Sequence, residues 1–155
     1  MMLLELRISR AHDRALLRQG AVEAPDPVYS TMRWAYPGSF VAMAIEGAVL
    51  AIPPGLLTFS GGVVFVAAKA LKVWAITALG TRWTYRVLVL PQAPLVTSGP
   101  YRFMRHPNYV GVAGELVGMA LLVQAPFTGV LSVVGFAWLL RLRILAEEEA
   151  LGLHR

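Results

Sequence analysis

Two groups of side chains in this sequence have the types and spacing to do chemistry. The first is the stretch 99–111, GPYRFMRHPNYVG, which sets two Arg, one His, two Tyr and two Pro between long apolar runs. Gly99-Pro100 reads as a turn, 101–105 as a helical turn, and Pro107 suits the first position of the helix that follows. His106 and the free amides of Asn108 and Tyr109 then stand at a helix N-terminus, where a carboxylate or phosphate is stabilised. The faces of Tyr101 and Tyr109 can stack on a base or contact a ligand cation. An interfacial belt of aromatic and Arg side chains explains Tyr101, Arg102 and Arg105 equally well, but explains His106-Pro107 poorly. The second group is Arg143 with Glu147, four residues apart and so on one face of a helix. By default that is a surface ion pair, with Glu148 and Glu149 solvated. A helical hairpin between the two groups would bring the second back beside the first and close one pocket.

The elements that must position these residues are apolar. The 155-residue chain is 57% hydrophobic with mean hydropathy +0.60, above the usual share for soluble domains. No interval has the alternating strands of an outer-membrane barrel, and helices are the remaining way to satisfy backbone groups in lipid. The expected fold is an all-α integral membrane protein of one domain, 1–155. It begins with an amphipathic basic arm, 1–37, that suits an anionic membrane surface, a solvated helix or a juxtamembrane topology signal. Four membrane segments follow at about 39–57, 61–79, 109–124 and 127–140, the last two forming a C-terminal helical hairpin. Ser39 is the expected N-cap of the first segment, Pro53 and Pro54 break its far end, and Trp34 and Tyr36 sit at headgroup level. The 80–108 loop contains VLVLP as a short extended piece.

Outside the second segment, every Lys and Arg lies in the arm, the 80–108 loop or the C-terminal tail. The positive-inside rule therefore puts both termini and the polar loop in the cytoplasm. The net charge of +5 is explained by topology rather than by nucleic acid. Without Cys the chain has no disulfide, thiolate nucleophile or zinc-thiolate cluster. Glu46, Lys69, Lys72 and Glu115 fall inside the apolar segments, where an ionisable group is costly and faces a partner or a cavity. For Lys69 a structural Glu–Lys pair is the better reading. Glu115 reads as facing the site, and Gly114 with Gly118 makes a GxxxG step around it.

At these residues the chain resembles the isoprenylcysteine carboxyl methyltransferase family. LVTSGPYRFMRHPNYVG matches that family's LVTSGPY…RHPxYxG signature, and RLRILAEEEALG is similar to its closing helix. ALKVWAITALGTRWTYRVLVLP resembles the helix and loop before the signature, and ELRISR with GAVE is similar to a bacterial branch associated with alkylpyrone O-methylation. That branch usually begins with a complete membrane helix where this chain has MMLLEL, and the family often has a His where Ala93 and Pro94 stand. The resemblance implies S-adenosylmethionine as cofactor, bound in a membrane pocket at the cytoplasmic side without a Rossmann domain. It also implies that Leu95, Val96, Tyr101, His106, Pro107, Asn108, Tyr109 and Glu147 line the cofactor, and that Arg143 faces a lipophilic acceptor. The acceptor oxygen would belong to a polyketide- or quinone-like hydroxyl or to a prenylcysteine-type carboxylate. Two other readings compete: an NADPH-dependent membrane reductase related to sterol reductases, for which only Arg102 and Arg105 are candidate phosphate ligands, and a non-enzymatic membrane scaffold. The sequence specifies no oligomeric state.

Overall fold

Small residues decide how the apolar segments meet. In the computed structural model, which describes residues 2–152, α1 (Met2–Arg18) leads to a two-residue strand β1 (Val22–Glu23). Four long helices follow: α2 (Tyr29–Leu50), α3 (Leu56–Leu79), α4 (Pro107–Leu122) and α5 (Pro126–Ala150), with strand β2 (Leu88–Val89) in the loop after α3. Met1 and residues 153–155, on which the expectation for the outermost ends of the chain falls, lie outside the described residues.

α4 turns Gly111, Gly114 and Gly118 toward α3, and a Cβ on Gly118 would stand 2.6 Å from the Phe65 backbone nitrogen. The GxxxG step therefore permits backbone-to-backbone packing that any larger side chain would block. Gly61 meets Leu122 and Lys72 meets Gly111, so α3 runs antiparallel to α4. Tyr36 meets Glu115 and Gly47 meets Val123, so α2 runs parallel to α4. Gly129 meets Ala120 and Arg143 meets Tyr109, so α5 returns antiparallel as the expected hairpin. Between α2, α4 and α5 the core is Met43, Val112, Leu116, Ala125, Phe136 and Leu140.

Several local expectations are corrected. α2 starts at Tyr29, so Ser39 is inside a helix and its hydroxyl donates to the Ala35 carbonyl (2.8 Å) instead of capping. Tyr36 belongs to the core, where its ring packs on Phe40 and Phe136, not to a headgroup belt. Glu46 pairs with no Lys among the described residues: it accepts the backbone N–H groups of Phe127 (2.9 Å) and Thr128 (2.7 Å) and caps the start of α5. A carboxylate there satisfies orphan donors and meets the positive end of the helix dipole. α2 stops at Leu50, ahead of Pro53 and Pro54, with Ala51 in the left-handed region (φ +47°). The VLVLP piece pairs as β2 with β1 in antiparallel register, Val22 opposite Val89 and Glu23 opposite Leu88.

Among the described residues, two helical segments, Leu56–Arg82 and Pro126–Ala150, are long and apolar enough to cross a membrane. Only 17% and 22% of their apolar windows are buried, so they are not the sheltered core helices of a soluble protein. α2 likewise exposes Val41, Ile45 and Val49, one apolar stripe at four-residue spacing. The fold is mainly helical and consistent with a membrane protein, with Leu56–Arg82 and Pro126–Ala150 as its candidate spans.

Candidate functional site

The hairpin brings together the two groups of residues that the sequence separates by more than thirty positions. Pro107 occupies the first turn of α4, where its missing N–H is no loss. Two residues on, the Tyr109 hydroxyl donates to Glu147 Oε2 (2.6 Å) and accepts from Arg143 Nε (2.9 Å). The His106 ring stacks on Tyr109, with centroids 5.5 Å apart and planes 13° apart. His106 Nε2 lies 3.2 Å from Glu148 and its Nδ1 lies 3.9 Å from Glu147. Glu148 is thus not solvated: it holds His106 and also meets Arg105 at 3.6 Å. Glu149 is exposed.

Arg143 is buried and held from three sides. Besides Tyr109, its Nη1 donates to Asp26 Oδ2 (2.7 Å) and its Nη2 donates to the Tyr85 carbonyl. Those contacts engage three of the five N–H donors of a guanidinium, leaving two. The other Asp26 oxygen accepts the Val28 N–H (3.2 Å), a local turn that fixes the carboxylate at the entrance to α2. Tyr29 adds its ring face 6.0 Å from the guanidinium carbon. Sequence reasoning passed over Asp26 and Tyr85 and read Glu148 as solvated. Asp26 had one signal, an acid inside the Pro-rich turn 24–27.

Arg143, Tyr109, His106 and Glu147 border one cavity of about 690 Å³, within the range of ligand pockets. Leu95, Val96, Tyr101, His106, Asn108, Tyr109, Arg143 and Glu147 are all on its wall, with Tyr29, Tyr36 and Tyr85. Pro107 is buried behind the wall as the first residue of α4. Gly99 anchors the wall loop with φ +58°, and a Cβ there would stand 2.8 Å from Ala78 on α3, so conformation and space both require glycine. Burial and the nearby Glu147 raise the Tyr101 phenol above its ordinary value; burial and Glu5 do the same for Tyr85. Both are therefore neutral at physiological pH. Asn108 Oδ1 is buried without a hydrogen-bond partner among the described residues, an acceptor suited to a ligand N–H or O–H.

Glu115 stands elsewhere. It is fully buried, 2.9 Å from Lys69 and 3.8 Å from Lys72, and accepts the Tyr36 hydroxyl. Lys72 in turn meets Glu5 of α1 at 3.0 Å. This network lines a separate space of about 300 Å³ between α2, α3 and α4. The Glu–Lys pairing expected of Lys69 is present, and its partner is Glu115.

Comparison with known proteins places the chain in a family whose model covers this part of it. The model of the isoprenylcysteine carboxyl methyltransferase (ICMT) family matches residues 61–153, which run from α3 to the end of α5. The uncharacterized Bacillus subtilis protein YpbQ is 31% identical over 147 residues, 95% of this chain and 88% of that protein. An uncharacterized Haemophilus influenzae protein is 27% identical over 95% of this chain and 86% of its own length. The Dictyostelium discoideum protein-S-isoprenylcysteine O-methyltransferase is 31% identical over 91 residues, 55% of this chain and 37% of that enzyme. No solved structure matches. With more than half of its length under the family model, including both halves of the hydrogen-bonded cavity wall, the chain belongs to the isoprenylcysteine carboxyl methyltransferase family.

Proposed function

We propose that this chain, acting as a single domain over 1–155, is a membrane-embedded methyltransferase that uses S-adenosylmethionine to methylate an oxygen of a lipophilic acceptor. The acceptor oxygen belongs to a polyketide- or quinone-like hydroxyl or to a prenylcysteine-type carboxylate. The observation that carries this reading is the union of His106, Tyr109, Arg143 and Glu147 on one cavity wall beside the unpartnered Asn108 oxygen. That donor set suits the cofactor. Asn108 and Glu147 would take its amine and ribose hydroxyls, His106 and the start of α4 its carboxylate, and Tyr101 and Tyr109 would flank its adenine or sulfonium, with Leu95 and Val96 as the apolar wall. When bound, the cofactor supplies a sulfonium-activated methyl group, so no covalent enzyme intermediate is needed.

The protein's own task is alignment and exclusion of water. Arg143, immobilised by Asp26, Tyr85 and Tyr109, offers its two remaining N–H donors to the acceptor oxygen and orients it. Glu115, enclosed by Lys69, Lys72 and Tyr36, has a structural role in this reading. The reductase alternative gains nothing from Arg105, which is engaged with Glu148, or from Arg102, which lies over Phe103. In this reading the cavity end of four membrane segments is on the cytoplasmic side, which the uneven distribution of Lys and Arg supports. Nucleic acid has no part in this reading.

Calorimetric titration of the detergent-purified chain tests it. Heat with S-adenosylmethionine and none with NADPH is expected, with binding weakened in His106→Ala and Glu147→Gln. No heat with the former, or unchanged binding in both variants, sinks the assignment. Cys introduced at Gly55 and at Ser98 should be labelled from opposite faces of the membrane; labelling from one face refutes the four-segment topology.

A further inference from the structure

The site described so far uses only the inward face of the N-terminal helix. Along that face Glu5, Ser9 and Leu16 are buried, and three contacts clasp the loop after α3. The Tyr85 N–H donates to Ser9 Oγ (2.8 Å), the Tyr85 hydroxyl donates to Glu5 (2.9 Å), and His12 Nδ1 donates to the Trp83 carbonyl (2.8 Å). The same Tyr85 gives its carbonyl to Arg143, and Leu6 of α1 itself lines the cavity, so α1 supports the wall directly and through Tyr85.

The outward face is different in kind. Arg7, Arg10, Arg14 and Arg18 recur at three- and four-residue spacing and are all exposed. None of the four is in an ion pair among the described residues, and the acids of α1 are buried (Glu5) or half-buried (Asp13). Beside this basic stripe lie exposed apolar side chains, Ile8 and Leu17, with Ala11 between the arginines. A basic stripe edged with apolar side chains is the composition of a helix lying in a headgroup layer.

Depth points the same way. Glu5 is tied to Lys72, seven residues or about 10 Å inside the C-terminal end of α3 at Leu79, and α3 lies within one of the two segments able to cross a membrane. α1 therefore begins below the end of a membrane helix and is level with the lipid boundary. We propose that the outward face of α1 docks on anionic lipid headgroups of the surrounding leaflet. This docking holds the 83–87 loop, through Ser9, His12 and Glu5, in place over the cavity.

The test uses the whole chain, which has no native Cys, with Ala11→Cys carrying a nitroxide. It is reconstituted in nanodiscs of phosphatidylcholine alone or of phosphatidylcholine with phosphatidylglycerol. In the anionic discs the label should become at least threefold more accessible to oxygen relative to a water-soluble nickel chelate, and high salt should reverse the change. Equal accessibility in the two lipids overturns the proposal. So does a change produced by inorganic phosphate or by added RNA in phosphatidylcholine discs. Hydrogen exchange at the Tyr85 amide, in the unlabelled chain, reads the coupling. It should slow severalfold in the anionic discs, and the difference should vanish in an Arg10→Gln, Arg14→Gln, Arg18→Gln variant. Exchange that ignores lipid charge in the native sequence overturns the coupling.

Discussion

Two sets of opposed charges are buried along α4, one around Glu115 and one around Tyr109, six residues apart on the same helix. The first contains Glu115, Lys69, Lys72, Glu5 and the Tyr36 hydroxyl; α3 and α4 close around it with the backbone contact at Gly118. Its two acids and two bases balance. The second contains Arg143, Asp26, Tyr109, Glu147, His106 and Glu148, and it borders the large cavity. There, two guanidinium N–H donors and the Asn108 oxygen are left without partners among the described residues. Both sets are costly to bury, and both read in the sequence as ionisable groups among apolar residues. The difference teaches that charge in an apolar segment locates expense, while unused hydrogen-bonding capacity beside a cavity locates a ligand.

The comparison can be broken most forcefully at Glu115. Replacement by Ala leaves Lys69 and Lys72 facing one another, with Glu5 alone to compensate them, and should cost about 3–5 kcal/mol of stability, measured by denaturant unfolding in detergent. Affinity of the folded fraction for S-adenosylmethionine should stay within threefold of the native value; its loss would make the Glu115 set part of the site. Glu147→Gln should show the opposite signature, weakening cofactor affinity tenfold or more, about 1.4 kcal/mol, with little change in unfolding. An effect on stability alone would reduce that set to scaffolding. Tyr109→Phe removes one oxygen that serves both Glu147 and Arg143 and should cost about 1 kcal/mol in each measurement. The smallest effect is expected from acid. Burial alone would raise the Glu5 carboxyl, but the Lys72 ammonium and the hydrogen bonds from Lys72 and Tyr85 outweigh it and hold Glu5 below its ordinary value of 4.5. A depressed folded-state value stabilises above the unfolded value and is lost as pH falls through the folded one. Unfolding should thus ease below about pH 4.5 and the Glu5→Gln variant should lose part of that slope. Identical slopes would remove Glu5 from the balance.

Much of this was legible because local signals were strong. Pro107 marked a helix start, Ala125-Pro126 between two apolar runs marked the hairpin, although Pro126 itself opens α5, and four-residue spacing put Arg143 and Glu147 on one face. The residues that went unread are those whose partners are far away in sequence. Asp26 and Arg143 are 117 positions apart, and no periodicity links a turn acid to a helix arginine at that distance. Glu148 reads as one of three adjacent acids, and only the crossing of α5 beside His106 selects it. Glu46 reads as a candidate for a Lys partner because both lie in apolar segments, yet its oxygens go to backbone N–H groups that sequence hydropathy does not count. The start of α2 was displaced because Pro37 and Gly38 look like a helix boundary, while in the fold they are continued through by packing of Tyr36 and Phe40.

The brevity of α4 has a consequence for the lipid around it. Its 16 residues rise about 24 Å, against about 30 Å of hydrocarbon. In the proposed four-segment topology the helix is therefore about 6 Å shorter than the hydrocarbon is thick, so its ends, with His106 at one of them, lie inside the ends of a full-length span. Lipid beside the helix must thin to meet them, at a fraction of a kcal/mol per Å. The resulting dimple lowers the headgroup plane toward the cavity mouth, so the polar end of a molecule anchored by its tail can reach His106 and Tyr109 without leaving the bilayer. Under the proposed function, membrane thickness then becomes a control on turnover. Lipids with shorter chains should favour the reaction, and thick, stiff bilayers should hold the acceptor above the residues that would align it.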